Sequence, residues 1–377
     1  MTLSRLAAGL RDRGHKVSIV RPRQPADRRA GVRSCAAVTL VPGIRMPGYR
    51  EVRIGLPAIG TLHERWMSHR PDVVYVATEG PLGWSAVRVA RRLGLTVFSG
   101  FHTSFPDYAK HYGARWMMPL VIRGLRRFHN RTNGTLVAGE PLRRQLEAAG
   151  FANVFVVGRG VDSELFAPER RSPELRAAWG AGDDDVVALS VGRLAPEKNL
   201  PLAVEAFRAI QRVRSTARLV IVGDGPLREE LQRANPDVIF CGMQTGERLA
   251  AHYASADVFL FPSETETFGN VTLEAMASGL AVIAYDYAAA GLHIRAGDSG
   301  VLVARGDALA YVEAAVALAW SPVTIVRMGR CAREHAVSVG WRGVVERFEA
   351  LLTGSSPPRP SMDLTPAPVE VAGLRSR

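Results

Sequence analysis

Short runs of apolar and β-branched residues alternate along this chain with longer stretches whose apolar positions recur every three to four residues. The short runs predict strands at Lys16–Val20, Val73–Val76, Thr96–Phe101, Gly134–Ala138, Val154–Val157, Val186–Val191, Ala217–Val222, Val238–Phe240, Val258–Phe261, Ala281–Ala284 and Gly300–Val303. The longer stretches predict helices at Thr2–Arg13, Gly83–Leu93, Arg115–Arg131, Pro141–Ala149, Pro201–Val213, Leu227–Ala234, Thr245–Ala254, Gly269–Ser278, Leu309–Trp320 and Trp341–Leu352. Strands apolar at nearly every position, alternating with helices, imply parallel sheets covered on both faces. There are too many units for one compact sheet. The segment Gly158–Arg176, rich in Gly, Pro and charge, divides them into two doubly wound α/β domains, residues 1–157 and 158–353. Residues 354–377 carry five prolines and no periodicity, and are expected to be a disordered tail. The first element is a helix closed by Gly14, whereas a doubly wound domain opens on a strand and a glycine-rich turn. The expectation is that the first strand is missing and that Met1 is an internal methionine.

Composition narrows the class. Of the 377 residues, 47% are apolar and 22% charged, which excludes a disordered or fibrous chain. Cys35, Cys241 and Cys331 are isolated, with neither disulfide-framework nor metal-ligand spacing, and fit a reducing cytoplasm. No apolar run is long enough to span a membrane, and Leu6–Leu10 is too short for a signal-peptide core. The acidic triplet Asp183–Asp185 precedes a strand and reads as a solvated turn, so no metal site is expected.

Charge is unevenly placed. Residues 1–160 carry 26 Lys and Arg against 9 Asp and Glu, and residues 161–377 carry 22 against 27. A basic half implies an anionic partner: nucleic acid, an anionic membrane surface or a phosphorylated substrate. The basic residues are not interleaved with stacking aromatics, so no nucleic-acid partner is expected. Candidate helices Thr61–Arg70 and Arg115–Arg131 mix Arg and His with Trp66, Trp116, Met117 and Met118. Such a face can lie on anionic lipid, or simply be a solvated helix with a core stripe.

Four segments carry chemistry. Ser263–Glu274 follows an apolar strand and opens a helix, so the N–H groups of Phe268, Gly269, Asn270 and Val271 form a helix terminus suited to phosphate. Glu274 can reach a ribose diol and Glu266 whatever lies beyond the phosphates, although a cap and a surface residue would look the same. Arg193 and Lys198 end another strand, where parallel sheets bind ligands, and two cations there can neutralise a leaving diphosphate. A solvated basic loop is the alternative; against it, Lys198 is one of only three lysines among 48 basic residues. Gly223 and Gly225 permit close backbone approach to a nucleotide. Met243 ends a strand whose backbone could read a base edge. In the N-terminal half, His102 sits at a strand's carboxyl end, facing the expected cleft.

In this order the segments resemble the retaining glycosyltransferases of family four, over almost the entire chain. Glu266 and Glu274 match that family's Glu-x7-Glu motif, and Gly192-Arg193 with Lys198 its diphosphate clamp. Thr78–Gly83, Gly100–Ser104 and Ala284–Ala290 look like bacterial GDP-mannose-dependent α-mannosyltransferases. They are less similar to sulfoquinovosyl-diacylglycerol synthases and phosphatidylinositol mannosyltransferases. The resemblance implies the GT-B architecture, two Rossmann-like domains facing across a cleft, with the last helix packing back on the first domain. It implies transfer of a hexose, mannose from GDP-mannose, to a lipid or glycan acceptor, without metal or further cofactor. His102 and Glu266 would lie at the donor sugar, Glu274 at the ribose, and Arg193 with Lys198 at the diphosphate. A UDP-sugar transferase of the same fold, a nucleotide-sugar epimerase and an inactive truncated binding module remain open. The expected location is the cytoplasm, peripheral on the inner face of the membrane.

Overall fold

The structure, a computed structural model, describes residues 2–25, 27, 37–46, 49–102, 118–266 and 268–355. Readings that fall on Cys35, Lys110, Trp116, Met117, residues 103–104 and the tail 356–377 lie outside the described residues. The strands are β1 (Ile19–Pro22), β2 (Val38–Val41), β3 (Gly43–Met46), β4 (Tyr49–Gly55), β5 (Val73–Val76), β6 (Thr96–Gly100), β7 (Gly134–Val137), β8 (Val154–Val156), β9 (Val187–Val191), β10 (Arg218–Val222), β11 (Ile239–Gly242), β12 (Val258–Phe261), β13 (Ala281–Tyr285) and β14 (Gly300–Val303). The α-helices are α1 (Thr2–Asp12), α2 (Ile59–Ser68), α3 (Pro81–Arg92), α4 (Met118–His129), α5 (Glu140–Ala148), α6 (Pro173–Ala178), α7 (Leu200–Val213), α8 (Arg228–Ala234), α9 (Gly246–Ala254), α10 (Asn270–Ala277), α11 (Ala288–His293), α12 (Ala308–Ala319), α13 (Pro322–Ser338) and α14 (Trp341–Thr353).

Among the described residues, every strand pairing except the β3–β4 hairpin is parallel. The C-terminal half holds one six-stranded sheet in the order β11-β10-β9-β12-β13-β14. The order reverses at β9 and β12, and ligands bind outside the strand ends at such a switch point. The N-terminal half holds β5-β6-β7-β8 and the separate pair β1-β2. Strand alternation sets the two cores of the C-terminal sheet. Val187, Leu189 and Val191 of β9 join Tyr253, Phe259 and Met276 on one face. Ala188 joins Phe207, Leu219, Ile221 and Tyr311 on the other. Each large apolar side chain so buried contributes roughly 1.5–3 kcal/mol.

The apolar pattern misplaced some elements. The strand expected at Lys16–Val20 begins at Ile19, and β2, β3 and β4 were not anticipated. Pro42, Arg45 and Arg53 interrupt their apolar runs, and β3–β4 is a hairpin rather than a buried parallel strand. Helices α6, α11 and α13 are additional. Helix α2 exists, but Trp66 is 6% exposed and packs in the core with Leu62, Val74 and Val87. The burial of Trp66 accords with a core stripe on this helix, one of the two readings its sequence leaves open.

Two features join the halves. Helix α14 lies on α1, where Leu6 packs with Phe98, Val344, Val345 and Phe348. At Gly9 a Cβ would stand 2.5 Å from Val345 Cγ2. Arg13 Nε donates to Glu349 at 2.5 Å, and Arg5 pairs with Asp162. The second feature is where the chain crosses between the halves. Val161 N–H donates to the Val339 carbonyl at 3.0 Å, so the outgoing and returning segments run side by side. Arg176, 2% exposed, donates to the carbonyls of Ser255 and Asp185 and to the Asp257 carboxylate. It thereby organises the Asp183–Asp185 turn from inside.

Candidate active site

The strand ends of both halves converge on a cavity of about 360 Å³. Thr2, His102 and Arg159 line it from one side. Gly192, Arg193, Lys198, Glu266 and Phe268–Val271 line it from the other.

On the C-terminal side, Lys198 is the last residue of a short 3₁₀ turn (Pro196–Lys198) in the loop after β9, and Asn199 takes a left-handed conformation (φ 49°) that starts α7. Glu266 lies in the turn after β12. Its carboxylate pairs with the Lys198 ammonium and accepts from Ser263 Oγ at 3.0 Å. Tyr287 Oη donates to the Glu266 carbonyl at 2.9 Å, so the turn is fixed at backbone and side chain. Gly269 has φ 87°, which glycine tolerates, and begins α10. The Asn270 side-chain oxygen is buried without a partner, which leaves one acceptor at the head of α10. A helix N-terminus with two adjacent cationic side chains can hold a diphosphate.

On the N-terminal side, three groups are linked through His102. Arg159 Nη2 lies 3.3 Å from His102 Nδ1, and Tyr75 Oη lies 2.8 Å from His102 Nε2. A guanidinium only donates, so Nδ1 accepts; the neutral ring then carries its proton on Nε2 and donates it to Tyr75. Burial, reinforced by the Arg159 charge, pulls the His102 pKa down to about 4. His102 is thus neutral at physiological pH and held in one tautomer. Burial likewise lowers the Arg159 pKa and raises that of Tyr75. Gly100 makes room for this arrangement: a Cβ there would stand 2.1 Å from Tyr75 Oη and 2.3 Å from His102 Nε2.

Some expected site residues stand outside the lining of this cavity. Glu274 does not line the cavity; its carboxylate accepts from Tyr253 Oη at 3.1 Å. Burial raises its pKa to about 7, partly countered by that hydrogen bond. Gly223 and Gly225 also stand outside the lining, and their small size serves packing. A Cβ at Gly223 would meet the Gly192 carbonyl oxygen at 1.8 Å, and one at Gly225 the Leu194 carbonyl oxygen at 2.3 Å. Met243 is 67% exposed beyond the end of β11, outside the cavity. The sequence reading missed Arg159, Tyr75 and Tyr287. Arg159 stands between two glycines in a segment read as a break, and only the fold brings it to His102.

The family model for Glycosyltransferase Family 4 matches residues 1–165, and that for Glycosyl transferases group 1 matches residues 185–320. The chain is 36% identical over 279 residues to a GDP-mannose-dependent alpha-mannosyltransferase of Mycobacterium tuberculosis, covering 74% of this chain and 72% of that protein. It is 38% identical over 286 residues to a GDP-mannose-dependent alpha-mannosyltransferase of Mycolicibacterium smegmatis, with the same coverage of 74% and 72%. Among solved structures, sucrose-phosphate synthase from Thermosynechococcus elongatus superimposes with a TM-score of 0.71 at 19% identity, covering 93% of this chain and 92% of that one. Anabaena HepE in complex with UDP-glucose gives a TM-score of 0.71 at 16% identity, covering 94% and 95%. At these identities the structures speak for the fold alone, and the fold they share with this chain is GT-B.

Proposed function

The chain belongs to glycosyltransferase family 4 and is a hexosyltransferase, and from that premise we propose that it transfers mannose from GDP-mannose to a hydroxyl of a lipid or glycan acceptor with retention of configuration. The observation that carries the reading is the meeting of Arg193, Lys198, the start of α10 and His102 in one cavity. In this reading the diphosphate lies against the N–H groups of Phe268–Val271, and Arg193 and Lys198 neutralise the charge that grows as it leaves. Lys198 then exchanges its contact with Glu266 for the phosphate, and Glu266 turns to the hydroxyls of the sugar. Glu274, one turn into α10, takes the ribose.

The bond from the anomeric carbon to the diphosphate oxygen breaks, and the acceptor oxygen bonds to the same face of that carbon. The acceptor's proton passes to the departing phosphate oxygen. His102 is neutral and moves no proton; it fixes the sugar's position, itself held by Arg159 and Tyr75. We further read the enzyme as cytoplasmic and peripheral on the inner face of the membrane. The net positive charge of residues 1–160 supports that reading, as does a relative named alpha-monoglucosyldiacylglycerol synthase, 30% identical over 259 residues.

Transfer from radiolabelled GDP-mannose tests the assignment. Losing one charged donor in a partly desolvated site costs roughly 2–4 kcal/mol, so Lys198→Ala and Arg193→Ala should each slow transfer about thirty- to several-hundred-fold. Wild-type turnover in both variants would sink it. The base is tested separately by thermal shifts against GDP and UDP, with the larger shift expected from GDP.

A further inference from the structure

Beside the donor cavity, the N-terminal half holds a second chain of polar side chains, Ser99, His129 and Glu79. Ser99 lies on β6 and His129 ends α4, and both are fully buried. Glu79 stands three residues beyond the end of β5, in the turn that leads into α3, and its side chain is 15% exposed. His129 Nε2 lies 3.2 Å from Glu79 Oε1; a carboxylate only accepts, so Nε2 carries a proton and donates it. On the other side of the ring, Nδ1 lies 2.8 Å from Ser99 Oγ. The rings of Phe101, Phe128 and Phe151 surround the imidazole, with centroids 5.1–5.7 Å away. The histidine is therefore locked, and it fixes one oxygen of Glu79.

The other oxygen is available. Among the described residues, Glu79 Oε2 makes no hydrogen bond or ion pair. Strands β5 and β6 are neighbours, with Val76 opposite Ser99, so Glu79 and His102 leave the sheet side by side at its carboxyl edge, where the cleft lies. Burial dominates the pKa of both His102 and Tyr75, and the Glu79 charge is a lesser influence on each, which puts the carboxylate within electrostatic reach of the cleft. A carboxylate held from inside with one oxygen free asks for a hydrogen-bond donor.

We propose that Glu79 Oε2 accepts a hydrogen bond from an acceptor hydroxyl that does not react, so that the enzyme takes acceptors with at least two neighbouring hydroxyls, a sugar or polyol head group, in preference to a lone alcohol. The proposal deepens the transferase reading above and rests on it. The reacting hydroxyl has one proton, which passes to the departing phosphate oxygen on the opposite side of the cleft. That hydroxyl cannot also donate to Glu79, so the carboxylate needs a second one. An acceptor without it leaves a partly desolvated carboxylate oxygen unpaired, and sites built to bond a hydroxyl reject analogues that lack it. Glu79 takes no proton in the step.

The test uses the full chain with radiolabelled GDP-mannose and three acceptors of one chain length: octyl glucoside, 1-O-octylglycerol and octan-1-ol. Wild type should glycosylate at least one of the first two, with kcat/KM at least ten-fold above that for octanol. A hydrogen bond to a charged group corresponds to roughly 10- to 150-fold, so the polyol-to-octanol ratio should fall by about that factor in Glu79→Ala, chiefly through KM for the polyol. Glu79→Gln keeps one accepting oxygen and should keep an intermediate ratio. A merely structural role would lower all three rates together and leave the ratio in place. Glu313→Gln, exposed on α12, should leave it unchanged. Equal ratios in wild type and Glu79→Ala would overturn the proposal. So would octanol serving as well as the polyols, or no transfer to either polyol while GDP-mannose is still hydrolysed. Those outcomes remove the role of Glu79 alone. A wild type that neither turns over GDP-mannose nor gains a thermal shift from GDP removes the donor reading, and the proposal with it.

Discussion

Replacing Arg159 with methionine keeps most of the side chain's bulk and removes the guanidinium that holds His102 Nδ1. Nδ1 then has no donor, and the ring can rotate or change tautomer, breaking the Nε2 contact with Tyr75. A hydrogen bond from a charged donor is worth about 1.5–3 kcal/mol net, so kcat/KM should fall roughly 10- to 150-fold. Mere destabilisation of the fold could also lower activity, so the pH profile is the decisive measurement. Of the groups facing His102, Arg159 and His129 lower its pKa, Glu79 raises it, and Tyr75 hydrogen-bonds its ring; burial is the largest influence. Without the Arg159 charge, the pKa should rise from about 4 toward, but not to, its ordinary value. The acid limb of kcat/KM should therefore move to higher pH in Arg159→Met, and Arg159→Lys should restore part of the shift. Initial rates of GDP release across the acid range provide the assay. An acid limb that stays in place while kcat/KM falls would refute the link between Arg159 and His102; so would wild-type kinetics.

Gly100→Ala should abolish transfer while GDP still shifts the melting temperature, because the new Cβ clashes with Tyr75 and His102 on the side away from the diphosphate clamp. Glu274 has a raised pKa, so between about 4.5 and 7 the folded state keeps a proton that the unfolded chain has released. Stability should fall as pH rises through that window, and urea midpoints should show the slope vanish in Glu274→Gln. If Glu274 takes the ribose, GDP binding near neutral pH should release a proton, seen as calorimetric heats that differ between buffers of different ionisation enthalpy. Gly9→Ala should destabilise by roughly 1–3 kcal/mol through overpacking against Val345, and thermal unfolding of Gly9→Ala/Val345→Ala should recover much of the loss.

The parallel core was legible because β9, β10, β12 and β13 are buried over nearly their whole length and so read as almost continuous apolar runs, interrupted only by Ser190 and by Arg218 at the start of β10. The region from Val38 to Gly55 was not, since a hairpin and short edge pairing tolerate arginines and prolines that break the pattern. The cleft residues His102, Arg193, Lys198 and Glu266 follow strand ends and could be found from position alone. Arg159 could not, because its meaning depends on a contact 57 positions away in sequence. Gly223 and Gly225, chosen for ligand approach, also let two loops touch, a packing role that only the fold reveals.

The paired crossings at Gly160–Val161 and Val339–Trp341 have a mechanical consequence. Two chain segments joined by a backbone hydrogen bond, with no room at Gly160 for even one added carbon 2.7 Å from Trp341 N, act as a single axle rather than as two loose tethers. Such an axle permits the lobes to swing but resists shear and twist between them. Arg159 sits directly beside it, at the short end of the lever. A swing large enough to open the far rim of the cleft therefore displaces Arg159 only slightly, and its grip on His102 can persist through the whole stroke of opening and closing.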